Sequence, residues 1–132
     1  MSAGALAAPG VSLDVSISGL RNLKGNVLIC LTANPKAFPD CSKDASSHKL
    51  SVAAAKAGQV RFTNIAPGLY ALSLIHDENA NGKLDTKLMI PGEGFGFSRN
   101  PTIVFGPPKF KGAQFSIGES GGAQAITMKY ML

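Results

Sequence analysis

Strict two-residue alternation of apolar and polar side chains recurs along this chain and limits what it can fold into. In SLDVSIS, Leu13, Val15 and Ile17 alternate with Ser12, Asp14, Ser16 and Ser18. That period puts the apolar set on one face of an extended strand and scatters it around a helix. LYALSLIHD repeats the pattern, with Tyr70, Leu72 and Leu74 on one face and His76 on the same parity at the end. NVLICLT is apolar on both faces, as a central strand requires. Residues 60–63 alternate again, followed by KLMI, GEGFGFS, TIVF, QFSI and AITMKYML, in which Ile126, Met128 and Tyr130 share a face. About eight strands at this spacing predict an all-β fold, an antiparallel β-sandwich. Residues 48–57 are mixed, HKLSV reading as strand and VAAAKA as a short helix, while 34–47 reads as a long loop.

Composition agrees. There are 15 Gly and 8 Pro, and only 16% of residues are charged, against about 25% in typical soluble domains. The length of 132 residues suits one domain, here 11–132 behind a flexible tail at 1–10. The net charge of +5 is spread over single lysines from Lys24 to Lys129. Nucleic-acid binders concentrate charge on one face, so a nucleic-acid partner is not expected. No apolar run reaches the length of a transmembrane helix. Ala5-Leu6-Ala7 has the small-x-small form of a signal-peptidase site, and Ala8-Pro9-Gly10 reads as a mature N-terminus. An ordinary flexible tail reads the same way.

Cys30 sits in a strand-like run and Cys41 after a turn-rich segment. In an exported protein they form a disulfide, worth about 3 kcal/mol on the chain-entropy model. Free thiols are the alternative, and the spacing makes a poor zinc site.

The run VRFTNIAPGLYALSLIHD resembles the prealbumin-like and collagen-adhesin B-type sandwiches. HDENANGKLD, then IPGEGFGFSRN, then PPKFKGAQFSI, is similar over nearly the whole chain to a family of exported bacterial proteins, domain of unknown function 2141. The resemblance implies an exported single-domain sandwich, periplasmic or secreted, with no established activity. It maps the family's acidic loop onto His76, Asp77, Asn79, Asn81, Gly82 and Asp85, and its glycine-aromatic segment onto Glu93, Gly94, Phe95, Gly96 and Phe97.

In that loop Asp77, Asn79 and Asn81 stand at positions 1, 3 and 5 of a calcium loop, with Gly82 at 6, the Lys83 carbonyl at 7 and Asp85 at 9. Position 12 should be Glu and is Leu88, and the flanks are strand-like, so this is no EF-hand. Glu93 supplies a further oxygen only if the chain folds back. A calcium site here has an expected dissociation constant of about 10⁻⁴–10⁻³ M. A plain polar turn accounts for the same residues, because Asn81-Gly82 is a favoured hairpin dipeptide.

His76 beside Asp77 suggests acid–base chemistry, but neighbours on a strand point to opposite faces. His76 is expected at the rim, bonded into the adjacent turn. Two Tyr (70, 130) and two His (48, 76) match in number the iron ligands of the intradiol dioxygenases, which share the prealbumin architecture. Those enzymes need a closely spaced His pair, absent here. The chain end, KYML, also differs from the tail of transthyretin-like hydrolases. GEGFGFS lacks the last Gly of a phosphate cradle and suits a strand where backbones approach closely. Phe95 and Phe97 are expected in the core; exposed together, they would mark an interaction site.

The expectation is therefore a non-enzymatic envelope domain with a binding or accessory role. Its partner would be a protein or another envelope component, and its one candidate cofactor is calcium. The alternative is a small-ligand binder or an enzyme centred on His76 and the acidic loop.

Overall fold

A computed structural model describes residues 10–39, 41, 44, 46–80, 86–87, 90–91, 94–102 and 108–130, with the backbone alone at 86–87 and 90–91. The strands are β1 (Val11–Ser18), β2 (Asn26–Thr32), β3 (His48–Ala53), β4 (Gln59–Ile65), β5 (Gly68–Asp77), β6 (Thr86–Lys87), β7 (Ile90–Pro91), β8 (Gly94–Phe97), β9 (Phe115–Ile117) and β10 (Gly122–Thr127). They form a three-stranded sheet, β10-β1-β4, and a five-stranded sheet, β3-β2-β5-β8 with β9 on the start of β5. The small β6–β7 ladder stands apart. Residues 1–9 and most of TIVF lie outside the described residues.

The alternating residues do what their period demands. Leu13, Val15 and Ile17 from β1 meet Val27, Ile29 and Leu31 from β2 and Tyr70, Leu72 and Leu74 from β5 in one buried core. Fully burying each such side chain is worth about 1.5–3 kcal/mol. β2 lies between β3 and β5, the central place its two apolar faces imply. Residues 48–57 divide into β3 and a 3-10 turn over Ala54–Lys56.

Two features depart from expectation. The β1–β10 pairing is parallel, from Leu13 opposite Gly122 to Ser18 opposite Thr127, although the other pairings are antiparallel. Each strand's alternation selects its buried face and says nothing of its direction, so the last strand was free to return in either sense. A four-residue helix, α1 (Phe110–Ala113), also interrupts the chain before β9.

The glycine-aromatic segment serves two layers at once. Phe95 and Phe97 point to the outer face of the five-stranded sheet and are buried there with Ala71, Phe110 and Ala113, against half-buried Phe38. Gly94 and Gly96 point the other way, where the chain end crosses β8. A Cβ on Gly94 would sit 2.4 Å from the Tyr130 ring, and one on Gly96 2.8 Å from Ile126. Phe95 and Lys129 exchange two backbone hydrogen bonds, so the C-terminal segment ties the two sheets together.

Gly94→Ala and Gly96→Ala should each lower stability by about 1–3 kcal/mol through overpacking. Gly58→Ala, where a Cβ meets nothing within 4 Å, should leave it nearly unchanged. Thermal unfolding of the three variants checks this.

Candidate functional site

His76 is the last inward-facing residue of β5 and is 0% exposed. Its cross-strand partner on β8 is Gly94, and the missing side chain there leaves room for the Tyr130 ring. The Tyr130 hydroxyl lies 2.7 Å from His76 Nδ1, and the Lys24 carbonyl oxygen lies 2.8 Å from Nε2. A carbonyl can only accept, so Nε2 carries a proton; in the Nε2–H tautomer Nδ1 then accepts from the tyrosine O–H. The Arg21 backbone N–H donates in turn to the Tyr130 oxygen at 3.1 Å. The chain of bonds has one direction throughout, and both imidazole nitrogens are used within the protein.

Arg21 closes the cluster from outside. Its guanidinium lies 4.5 Å from the Tyr130 ring centroid, a cation–π distance. The same group donates to both oxygens of Glu78, at 2.9 and 2.6 Å, and Asn22 Nδ2 donates to Glu78 as well. Arg21 and, less strongly, Asn22 hold the Glu78 carboxyl at about 2 against an ordinary 4.5, with partial burial opposing them. Burial pushes the Tyr130 phenol up. Gly25, at φ +64°, ends the β1–β2 turn with its Cα against the Asp77 carbonyl, where a Cβ would stand only 2.0 Å away. The turn, the end of β5 and the chain terminus thus meet at one fastener.

The expected placement of His76 at the rim, bonded into its own turn, is corrected by this geometry. Its partners come from the β1–β2 turn and the chain end, 52 and 54 residues away. The parity that put Tyr70, Leu72 and Leu74 inside carries His76 inside too. Tyr70 donates instead to Ala66 O at the opposite end of β5, so the two tyrosines serve different ends of the strand. Asp77 is 1% exposed, and its carbonyl accepts from the Ala80 amide in the turn that follows. Asn79 is exposed. Asn81, Gly82, Lys83, Asp85 and Glu93 lie outside the described residues. Phe95 and Phe97 are 6% and 8% exposed, inside the second cluster. A shallow surface depression beside β8 is lined by Phe95, Phe97, Asn100, Thr127 and Lys129 rather than by His76.

Sequence reading missed Arg21, Lys24, Glu78 and the Tyr130–His76 contact. The only signal for the last was that both residues fell on inward parities. It also missed a second polar cluster, in which buried Asp44 accepts from Thr32 Oγ1 at 2.6 Å and from the Ser46 amide at 3.0 Å. Those bonds, Thr32 first, hold the Asp44 carboxyl below its usual value.

Cys30 and Cys41 form a disulfide, with Cα atoms 6.4 Å apart. Among the described residues no helix is long and apolar enough to cross a membrane.

Tyr130→Phe keeps the ring but removes the hydroxyl that the Arg21 amide and His76 Nδ1 share, and should cost about 1–3 kcal/mol in chemical unfolding. Glu78 has a depressed folded pKa, so its stabilisation is complete above 4.5 and is lost as pH falls towards 2. Solvent around the pair limits that contribution to about 1 kcal/mol. Unfolding curves across this range should show the loss in the native protein and lack it in Glu78→Gln.

No curated protein and no solved structure matches the chain. A family model does match, over residues 15–125, a span that holds Arg21, Lys24, His76 and Glu78 of the fastener and stops short of Tyr130. The chain belongs to the bacterial family described as uncharacterized proteins conserved in bacteria, domain of unknown function 2141.

Proposed function

We propose that this chain is a non-enzymatic domain of the bacterial envelope, periplasmic or secreted, with a binding or accessory role. The observation that carries the proposal is the use of His76. It is fully buried, and both nitrogens are bonded to Tyr130 and Lys24, so neither is free to move a proton to or from a substrate. The residue with the strongest catalytic appearance in the sequence is a structural fastener. The Cys30–Cys41 disulfide supports the location, since such bonds persist in oxidising compartments.

The loop that leaves the fastener is the cation-binding element of this reading. Its candidate oxygens are those of Asp77, Asn79, Asn81 and Asp85 and the Lys83 carbonyl, which keep the spacing of a calcium loop up to position 9 and lack its Glu at position 12. Support comes from the rigidity of its root, where Gly25 packs on the Asp77 carbonyl and Glu78 is bonded to Arg21. A loop whose entry is fixed presents its first oxygens already in place, which lowers the entropy cost of binding an ion.

Thermal unfolding of the oxidised protein in millimolar calcium, in magnesium and in chelator tests the ion. At ten to a hundred times the dissociation constant, calcium should add about 1–3 kcal/mol, and Asp85→Asn should abolish the gain. Identical melting in all three buffers would refute the calcium assignment. Fractionation of cells expressing the protein from its natural gene tests the location. The domain should be recovered outside the cytosol with its cysteines paired, and cytosolic protein with free thiols would refute that part.

A further inference from the structure

We propose that the Cys30–Cys41 disulfide is a redox clasp, whose reduction releases the strap at 34–39 from the outer face of the five-stranded sheet while the sandwich behind it stays folded. Four observations place the clasp. The tip of the strap touches the sheet at one register position, where Cys30 on β2 lies opposite Ser73 on β5. Cys41 is bonded to the first, and the Pro39 carbonyl accepts from the hydroxyl of the second at 2.6 Å. Next to them Phe38 sets its ring edge-on against Phe97 and Phe110, at 5.8 and 6.0 Å.

The layer under the strap is separate from the main core. Ala71, Phe95, Phe97, Phe110 and Ala113 form their own cluster and share no member with the residues buried between the two sheets. Lifting Phe38 therefore uncovers aromatic surface without opening the sandwich, the condition for local rather than global unfolding.

The root of the strap has its own anchor. Thr32 is 1% exposed; its hydroxyl accepts from the Asn34 amide at 3.0 Å and donates to Asp44 at 2.6 Å. That anchor does not involve sulfur and survives reduction. Cys41, at the other end, stands at φ +50°, a left-handed conformation uncommon for non-glycine residues, and its amide donates to the Ala37 carbonyl while its own carbonyl accepts from the Asp44 amide. Once its sulfur is free, this turn loses its covalent tie to β2 and carries Pro39 away from Ser73.

The reaction is thiol–disulfide exchange with a dithiol reductant. Its thiolate attacks Cys30 Sγ, the more exposed member of the pair, and Cys41 leaves as a thiolate that takes a proton. The second thiolate of the reductant resolves the mixed disulfide. Two electrons and two protons end on Cys30 and Cys41, and the reductant departs as its own disulfide. The exposed product is an apolar patch around Phe97 and Phe110, the two rings that Phe38 covers in the oxidised form.

Hydrogen exchange on the full chain tests this, in the oxidised form, in excess dithiothreitol, and in the Cys30→Ser/Cys41→Ser double variant without reductant. Amides in the 34–41 region should exchange faster by roughly a hundredfold, the factor set by closing a loop of this size. Amides of β1, β4 and β10 should keep their protection, and an apolar-surface dye should bind only the reduced and variant forms. Unchanged exchange at 34–41 would mean that contacts alone hold the strap and would overturn the proposal. Joint acceleration of all strands would also overturn it, because the disulfide would then hold the whole domain.

Discussion

A strand buried on both faces has no solvent side to which polar groups can turn, and β5 is such a strand from Tyr70 to Asp77, apart from half-buried Ile75. It pairs with β2 along its length, with β8 near its end and with β9 at its start. Its inward residues hold the main core, and Ala71 on its outward face joins the second. Two polar residues, His76 and Asp77, close the strand while still 0% and 1% exposed. An unbonded polar group at that depth costs about 1–3 kcal/mol, so the surroundings must supply partners. For His76 the partners are a carbonyl from the β1–β2 turn and a hydroxyl from the chain end. The fastener is the consequence of burying a strand up to its last residue.

The four residues of β8 make that solution fit. Tyr130 reaches His76 only because Gly94 leaves the space, and Met128 and Ile126 pack close because Gly96 does the same. The aromatic residues between them face outward and cover the sheet from the other side. One short strand thus lets the C-terminal segment approach on one face and builds a second apolar layer on the other. Asn100 extends the same seam, donating to Ala125 O and accepting from the Thr127 amide as a neighbouring strand would. These contacts cover part of the β10 edge, which would otherwise invite pairing with another chain.

Much of this was legible in the sequence wherever a short-range pattern decided it. The alternation in β1 and β5, the doubly apolar β2 and the small-large period of β8 each reflect which face a residue must bury, and a window of a few residues contains that information. The parallel β1–β10 pairing was not legible, because alternation is the same for either strand direction. His76 was read one step too far outward for a related reason. Parity placed it on the inner face, but whether the sandwich extends far enough to cover it depends on Lys24 and Tyr130, more than fifty residues away on either side. The Arg21–Glu78 pair, 57 residues apart, left no local trace. The spacing of the 77–85 loop was readable, but its described part reaches only Ala80. The Cys30–Cys41 pairing followed from compartment chemistry, whereas the aromatic layer that the strap covers became visible only with the outward face of β8 in place.

The central claim is that His76 acts as an internal fastener with a fixed direction of hydrogen bonding. Long-range proton–nitrogen NMR of the imidazole at about pH 8, where a neutral ring reports its tautomer, tests it most directly. The account predicts a single Nε2–H tautomer, slow to exchange with solvent, that loses its fixed state in Tyr130→Phe. An Nδ1–H tautomer, or a ring averaging between the two in the native protein, would contradict it and return His76 to the list of groups available for chemistry.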